Sequence, residues 1–139
     1  MEGDREMVER IRMSMRRIVS SFLAVFQLYF AVLYLFPSLT YPSTPSPTVR
    51  IVLFIQSLGP YFTMGFGISG GVLAVALLLR RFIYVGHLFC LMVFVSYTMA
   101  LWLGAFTQQP HGSIIAPSLC LVPVVGHAAL ALSYGGERR

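Results

Sequence analysis

Four apolar runs of membrane-spanning length, separated by short polar connectors, constrain this chain more than any motif in it. They cover Ile18 to Phe36, a stretch ending at Leu79 that begins near Gly59 or earlier, Phe82 to Phe106, and Ile114 to Tyr134. About 20 residues of helix cross a hydrocarbon core of about 30 Å. The composition agrees: apolar residues make up 57% of 139 and charged residues 11%, where a soluble domain carries about 25% charged. A soluble domain of this size has too little interior to hide that apolar surface, so the bilayer must be the solvent. A soluble enzyme, a secreted disulfide scaffold and a disordered tail are excluded. Backbone groups in lipid must bond within their own segment. The expected fold is therefore all-α: a polytopic membrane protein, a four-transmembrane-helix bundle with an N-terminal amphipathic helix.

The segments follow from the pattern. Residues 1–17 form a cytoplasmic amphipathic segment, 18–36 the first span, and 37–50 a Pro-rich outer loop. Residues 51–79 hold an outer interfacial helix and then the second span, with a kink at 59–60. Spans three and four cover 82–106 and 114–134, and 135–139 is a cytoplasmic tail. Ser46-Pro47 is a helix-start signal, and Gly59-Pro60 is the natural break in what would otherwise exceed thirty residues. In the first segment Met7, Val8, Ile11, Met15 and Ile18 fall within an arc of about 100°. Two readings remain open there: a helix lying in the interface and attracted to anionic lipid, or a cytoplasmic extension of the first span. No cleavable signal peptide is visible. Met7, Met13 and Met15 offer alternative starts. Beginning at Met7 removes Glu2, Asp4, Arg5 and Glu6 and makes the flank two charges more positive.

All basic residues are Arg, a mark of a GC-rich genome. Arg5, Arg10, Arg12, Arg16, Arg17, Arg80, Arg81, Arg138 and Arg139 fall on one side of a four-span chain, and only Arg50 on the other. That asymmetry places both termini in the cytoplasm. The first five, with Arg80 and Arg81, are the membrane-surface basic set. The positive charge is thus explained by topology, and no nucleic-acid partner is expected.

Gly65, Gly67 and Gly70 spell GxGxxG, but inside an apolar span, without the strand and water-exposed turn a dinucleotide site requires. Gly67 and Gly71 form GxxxG, and Ala100 and Gly104 repeat the small-residue spacing on the third span. These four are candidate packing or oligomerisation positions, within one chain or between copies. His87 and His127 are the ionisable side chains well inside the spans, which makes them functional candidates. Three roles suit them: neutral polar packing, a proton or gating role, and haem or metal ligation. Packing is preferred, so no cofactor and no metal are expected. Gln27, Gln56, Ser20, Ser21, Ser69, Ser96 and Thr98 are expected in interhelical hydrogen bonds. Tyr34, Tyr41, Tyr61 and Trp102 read as an outer aromatic belt, and Phe82, Tyr84 and Tyr134 as an inner one. Pro117 and Pro123 should bend the fourth span. Cys90 and Cys120 read as buried free thiols, and no catalytic set is recognisable, so the chain reads as no enzyme.

The run LLLRRFIYVGHLFCLMVFVSYTMALWLGAF and the closing VGHAALALSYGGERR resemble the small four-span membrane proteins encoded by phages of actinobacteria. The shared features are two hairpins joined by an Arg pair, a Gly-His opening the third span, a His-Ala-Ala-Leu-Ala near the end and a brief charged tail. The long Pro-rich connector is a departure from the compact forms. Some members of that group are holins, and the resemblance implies a holin-like protein oligomerising in the bacterial inner membrane. Two further classes are carried beside it. One is a non-catalytic accessory subunit of a larger respiratory or secretion complex. The other is a small transporter or haem-binding protein using His87 and His127. In each the lipid bilayer is the first partner.

Overall fold

The computed structural model describes residues 2–36, 47–107 and 113–136. Tyr41, His111 and the polar tips of the two longer connectors lie outside them. Five helices and no strand occur among the described residues: α1 (Glu2–Leu35), α2 (Pro47–Leu58), α3 (Tyr61–Leu79), α4 (Ile83–Thr107) and α5 (Ile115–Gly136). Four of them, α1, α3, α4 and α5, are long and apolar enough to cross a membrane. They pack as neighbours in chain order, α1 on α3, α3 on α4 and α4 on α5, and a slighter α1–α5 contact closes the bundle. The short α2 lies mainly against α4.

Of the two readings of the N-terminal segment, α1 has the form of an extension of the first span. The amphipathic segment and the first span are a single uninterrupted helix of 34 residues, about 51 Å at 1.5 Å per residue. Nothing separates residues 1–17 from 18–36, because no Gly or Pro interrupts the helix between Asp4 and Leu35. Asp4 to Met15 are exposed on every side. That length extends past the bundle.

The two halves of the core differ. Toward the end of the bundle opposite the Arg80-Arg81 turn, Tyr34, Phe62, Phe66, Phe94 and Tyr97 are buried together, with Phe26 and Phe30 packed against them. Phe66 meets Phe94 at 5.1 Å and Tyr97 at 5.3 Å, both edge-on. Lipid tails are as apolar as these rings, so shape and ring geometry hold the helices together more than transfer from water does. Nearer the Arg turn the packing residues are smaller: Ala24, Leu73, Ala76, Ile83 and Cys90. There helices approach closely. A Cβ built on Gly86 would lie 2.9 Å from the Leu73 backbone, and one on Gly70 would lie 3.0 Å from Leu28.

Side chains and backbone both settle the turns. The Gln56 amide closes the α2–α3 break at Gly59-Pro60. Its Oε1 accepts the Phe62 N–H at 3.0 Å, and its Nε2 donates to Thr63 Oγ1 at 2.6 Å. One of the free backbone N–H groups at the start of α3, that of Phe62, thereby finds a partner on the preceding helix. At the other end of α3, Arg80 takes a left-handed conformation, φ 54°, and Phe82 another, φ 58°. The Arg80 and Arg81 N–H groups return to Leu77 and Ala76 carbonyls, a Schellman-type stop made without glycine. Pro123 sits inside α5 without ending it, and both it and Pro117 are buried.

Candidate functional site

On α1 the buried polar residues recur every seventh position: Ser20, Gln27 and Tyr34, at 0%, 0% and 5% exposure. Seven residues are two helical turns, so the three share one face, and each finds a partner on a different turn of the bundle. Tyr34 Oη donates to Tyr97 Oη at 2.8 Å. Gln27 Nε2 donates to Ser69 Oγ at 2.6 Å, and Ser69 passes its own proton to the Gly65 carbonyl. Ser20 Oγ lies 2.9 Å from His87 Nε2.

The Ser20 contact opens a polar chain that joins three helices. His87 Nδ1 lies 2.9 Å from His127 Nδ1, and Ser20 Oγ lies 3.5 Å from Tyr134 Oη. Both imidazoles are completely buried. The Tyr134 ring stacks nearly parallel to His87 at 5.9 Å, and Phe94 covers His127 at 5.8 Å. At 1.5 Å per residue the two His lie about 3 Å apart in depth counted from the Arg-turn ends of their helices and about 9 Å apart counted from the outer turn; the structure brings them into direct contact.

Donor accounting fixes the sense of this chain. Two facing Nδ1 atoms can bond only if one carries a proton and the other a lone pair, so at least one ring is neutral. His127 Nε2 has no hydrogen-bond partner. If that atom carried a proton, a buried N–H would be orphaned, which is rarer and costlier than an idle lone pair. We therefore assign His127 Nδ1–H as donor to His87 Nδ1 and His87 Nε2–H as donor to Ser20 Oγ, while either hydroxyl can donate in the Ser20–Tyr134 contact. The bonds tie α5 to α4 and α4 to α1, where direct α1–α5 contact is slight. The nitrogen–nitrogen distance is that of a hydrogen bond. Two ligands on opposite sides of one metal stand about 4 Å apart, so the pair does not have the spacing of a shared axial site.

The small-residue positions separate. Gly67 has ordinary contact with α1, 3.7 Å from a built Cβ to Ala31, and Ala100 and Gly104 are buried on α4. Gly71 faces open space, with nothing within 4 Å. The intramolecular part of the GxxxG expectation is therefore corrected at Gly71: the close approaches within the chain are made by Gly70 and Gly86. Sequence spacing alone missed them because GxxxG fixes a stripe on one helix and says nothing of where the neighbour lies. Two aromatic expectations also change. Tyr34 is core, and Tyr134 is turned inward onto His87, while Tyr61 and Phe82 remain outward at 60% and 61% exposure. Gln56 bonds across a helix break, and Ser96 bonds its own helix at Met92. Of the polar set, Thr98 is buried with its hydroxyl unpartnered.

The signal that would have revealed the His87 site was present as the seven-residue repeat of Ser20, Gln27 and Tyr34. Comparison with known proteins adds nothing to it: no family model matches the chain, and neither the curated proteins nor the solved structures contain a significant match.

Proposed function

We propose that the chain is a phage-encoded, holin-like integral membrane protein that acts by oligomerising in the bacterial inner membrane. The observation that supports this reading is the inward turn of the polar side chains. Ser20, Gln27, Ser69, His87 and His127 bury their polar atoms between helices, while Phe22, Val25, Leu78, Met92, Met99 and Leu132 cover the outside. A bundle that turns these polar groups inward and an apolar surface outward exerts its effect through what its outer faces meet. The His87–His127 pair then serves as polar packing that holds three helices in register.

We assign both termini to the cytoplasm. Ser20, His87 and Tyr134 meet at one level, so the N-terminal part of α1, the Arg80-Arg81 turn and the end of α5 share one end of the bundle. The basic excess at that end supports its cytoplasmic assignment. A Cys replacing Ser113 should react with an impermeant thiol reagent in intact cells, and one replacing Ser14 should not. The reverse pattern overturns the orientation.

Induced expression in a bacterium tests the activity. A holin-like protein collapses the membrane potential abruptly after a lag. A chain that leaves the potential intact and co-purifies with a host membrane complex refutes this reading in favour of an accessory subunit.

A further inference from the structure

Most of the exposed large apolar residues of α1 fall on one narrow stripe, with Met7, Met13, Val19, Leu28 and Leu35 exposed off it. Val8, Ile11, Met15, Ile18, Phe22, Val25, Tyr29 and Val32, with Phe36 just past the helix end, follow alternating steps of three and four, all between 50% and 68% exposed. This is the 3.5-residue spacing of a coiled-coil seam. It lies opposite the buried face, since Ser20, Gln27 and Tyr34 occupy the position diametrically across from it in the same seven-residue frame. Within the span nearly every residue is apolar, so the spacing there carries little information. In the stretch from Val8 to Met15 it does, because Glu9, Arg10, Arg12 and Ser14 interrupt the sequence and the seam persists through them, Met13 being the one apolar residue there that lies off it. That stretch extends beyond the level of the Arg80-Arg81 turn, where no other described helix covers it and its charged residues point to water.

We infer that this seam is the interface with a second copy of the chain: two α1 helices pair in parallel, from the membrane into the aqueous extension. Copies inserted with one orientation are related by an axis along the membrane normal, which makes the pairing parallel and sets each seam residue against its own counterpart. With each side chain exposing on the order of 100 Å², the pair covers on the order of 1,800 Å², the size of a stable interface. In the parallel pairing Arg12 of one copy faces Met7 of the other beside the aqueous seam, and Asp4, the seam position before Val8, faces its own counterpart. The inference deepens the self-association proposed above by naming its surface, and it leaves Gly71 outside that surface.

Oxidative cross-linking in native membranes tests it. Ile11→Cys and Met15→Cys should give disulfide-linked dimers in high yield. Met13→Cys, on the opposite face of the same aqueous stretch, should give little, as should the native chain, whose Cys90 is buried and whose Cys120 is partly so. Equal yields at residues 11, 13 and 15, or none at any, overturn the inference. A Val8→Glu/Ile11→Glu variant should keep its helix content and lose the dimer in mild detergent, and a dimer that survives also overturns it. Failure here is distinguishable from failure of the functional reading. A chain that depolarises the membrane without cross-linking through α1 remains holin-like with another interface. A chain that cross-links through α1 and never depolarises keeps the interface and loses the holin-like role.

Discussion

Replacing Gly86 and Gly71 by Ala, one at a time, separates close helix packing from a mere glycine pattern. Ala at a helical glycine position gains about 0.5–1 kcal/mol, from the smaller loss of backbone freedom on folding. At Gly71 nothing within 4 Å opposes the new methyl group, so Gly71→Ala should be neutral or stabilising by up to that amount. At Gly86 the Cβ would sit 2.9 Å from Leu73 Cα and 3.0 Å from its Cδ1. The Leu73 side chain can turn aside, but its backbone cannot, so α3 and α4 must separate by several tenths of an ångström. Overpacking of this kind costs about 1–3 kcal/mol. The net expectation is a loss of about 1–2 kcal/mol for Gly86→Ala, read as a thermal midpoint lowered by several degrees in detergent. His87 follows Gly86 directly, so the shift should also weaken the bond to His127. Thermal unfolding followed by circular dichroism, with the two variants run side by side, gives the answer. If Gly86→Ala unfolds with the wild type and Gly71→Ala unfolds early, the close approach of α3 and α4 at Gly86 is refuted.

Replacing His127 by Gln keeps a donor and an acceptor and should preserve folding and activity, whereas Leu removes the donor to His87 Nδ1 and should cost about 1 kcal/mol of stability; a Gln variant that folds normally and loses activity would make the pair mechanistic instead. Gln56→Leu frees the Phe62 N–H and Thr63 hydroxyl together and should destabilise by about 1 kcal/mol, and an unchanged melting curve would show that the cap contributes nothing.

The set of elements, and the solvent they fold in, can be read directly from the residues. Run length and the lack of charge in the spans dictate helices, because any other backbone in lipid would leave its hydrogen bonds unmade. Ser46-Pro47 and Gly59-Pro60 mark local events, and local backbone chemistry suffices to place them: α2 starts at Pro47 and ends at Leu58. The single α1 was less legible. A change from charged to apolar residues marks a change of solvent, but only a Gly, a Pro or a disrupted hydrogen-bond ladder breaks a helix. Contacts between helices were legible only in part. GxxxG named a stripe on α3, while the choice of Gly70 over Gly71 depends on how α1 is rotated against it. The belt assignment of Tyr34 and Tyr134 failed for the same reason, since depth in the membrane can be counted along a chain but azimuth cannot. His87 and His127 were singled out by the cost of placing imidazoles in lipid, a property of residue type and position. Their hydrogen bond to each other, and its continuation through Ser20 to Tyr134, arise only in the assembled bundle, because a bond between helices forms only when three rotations agree at once.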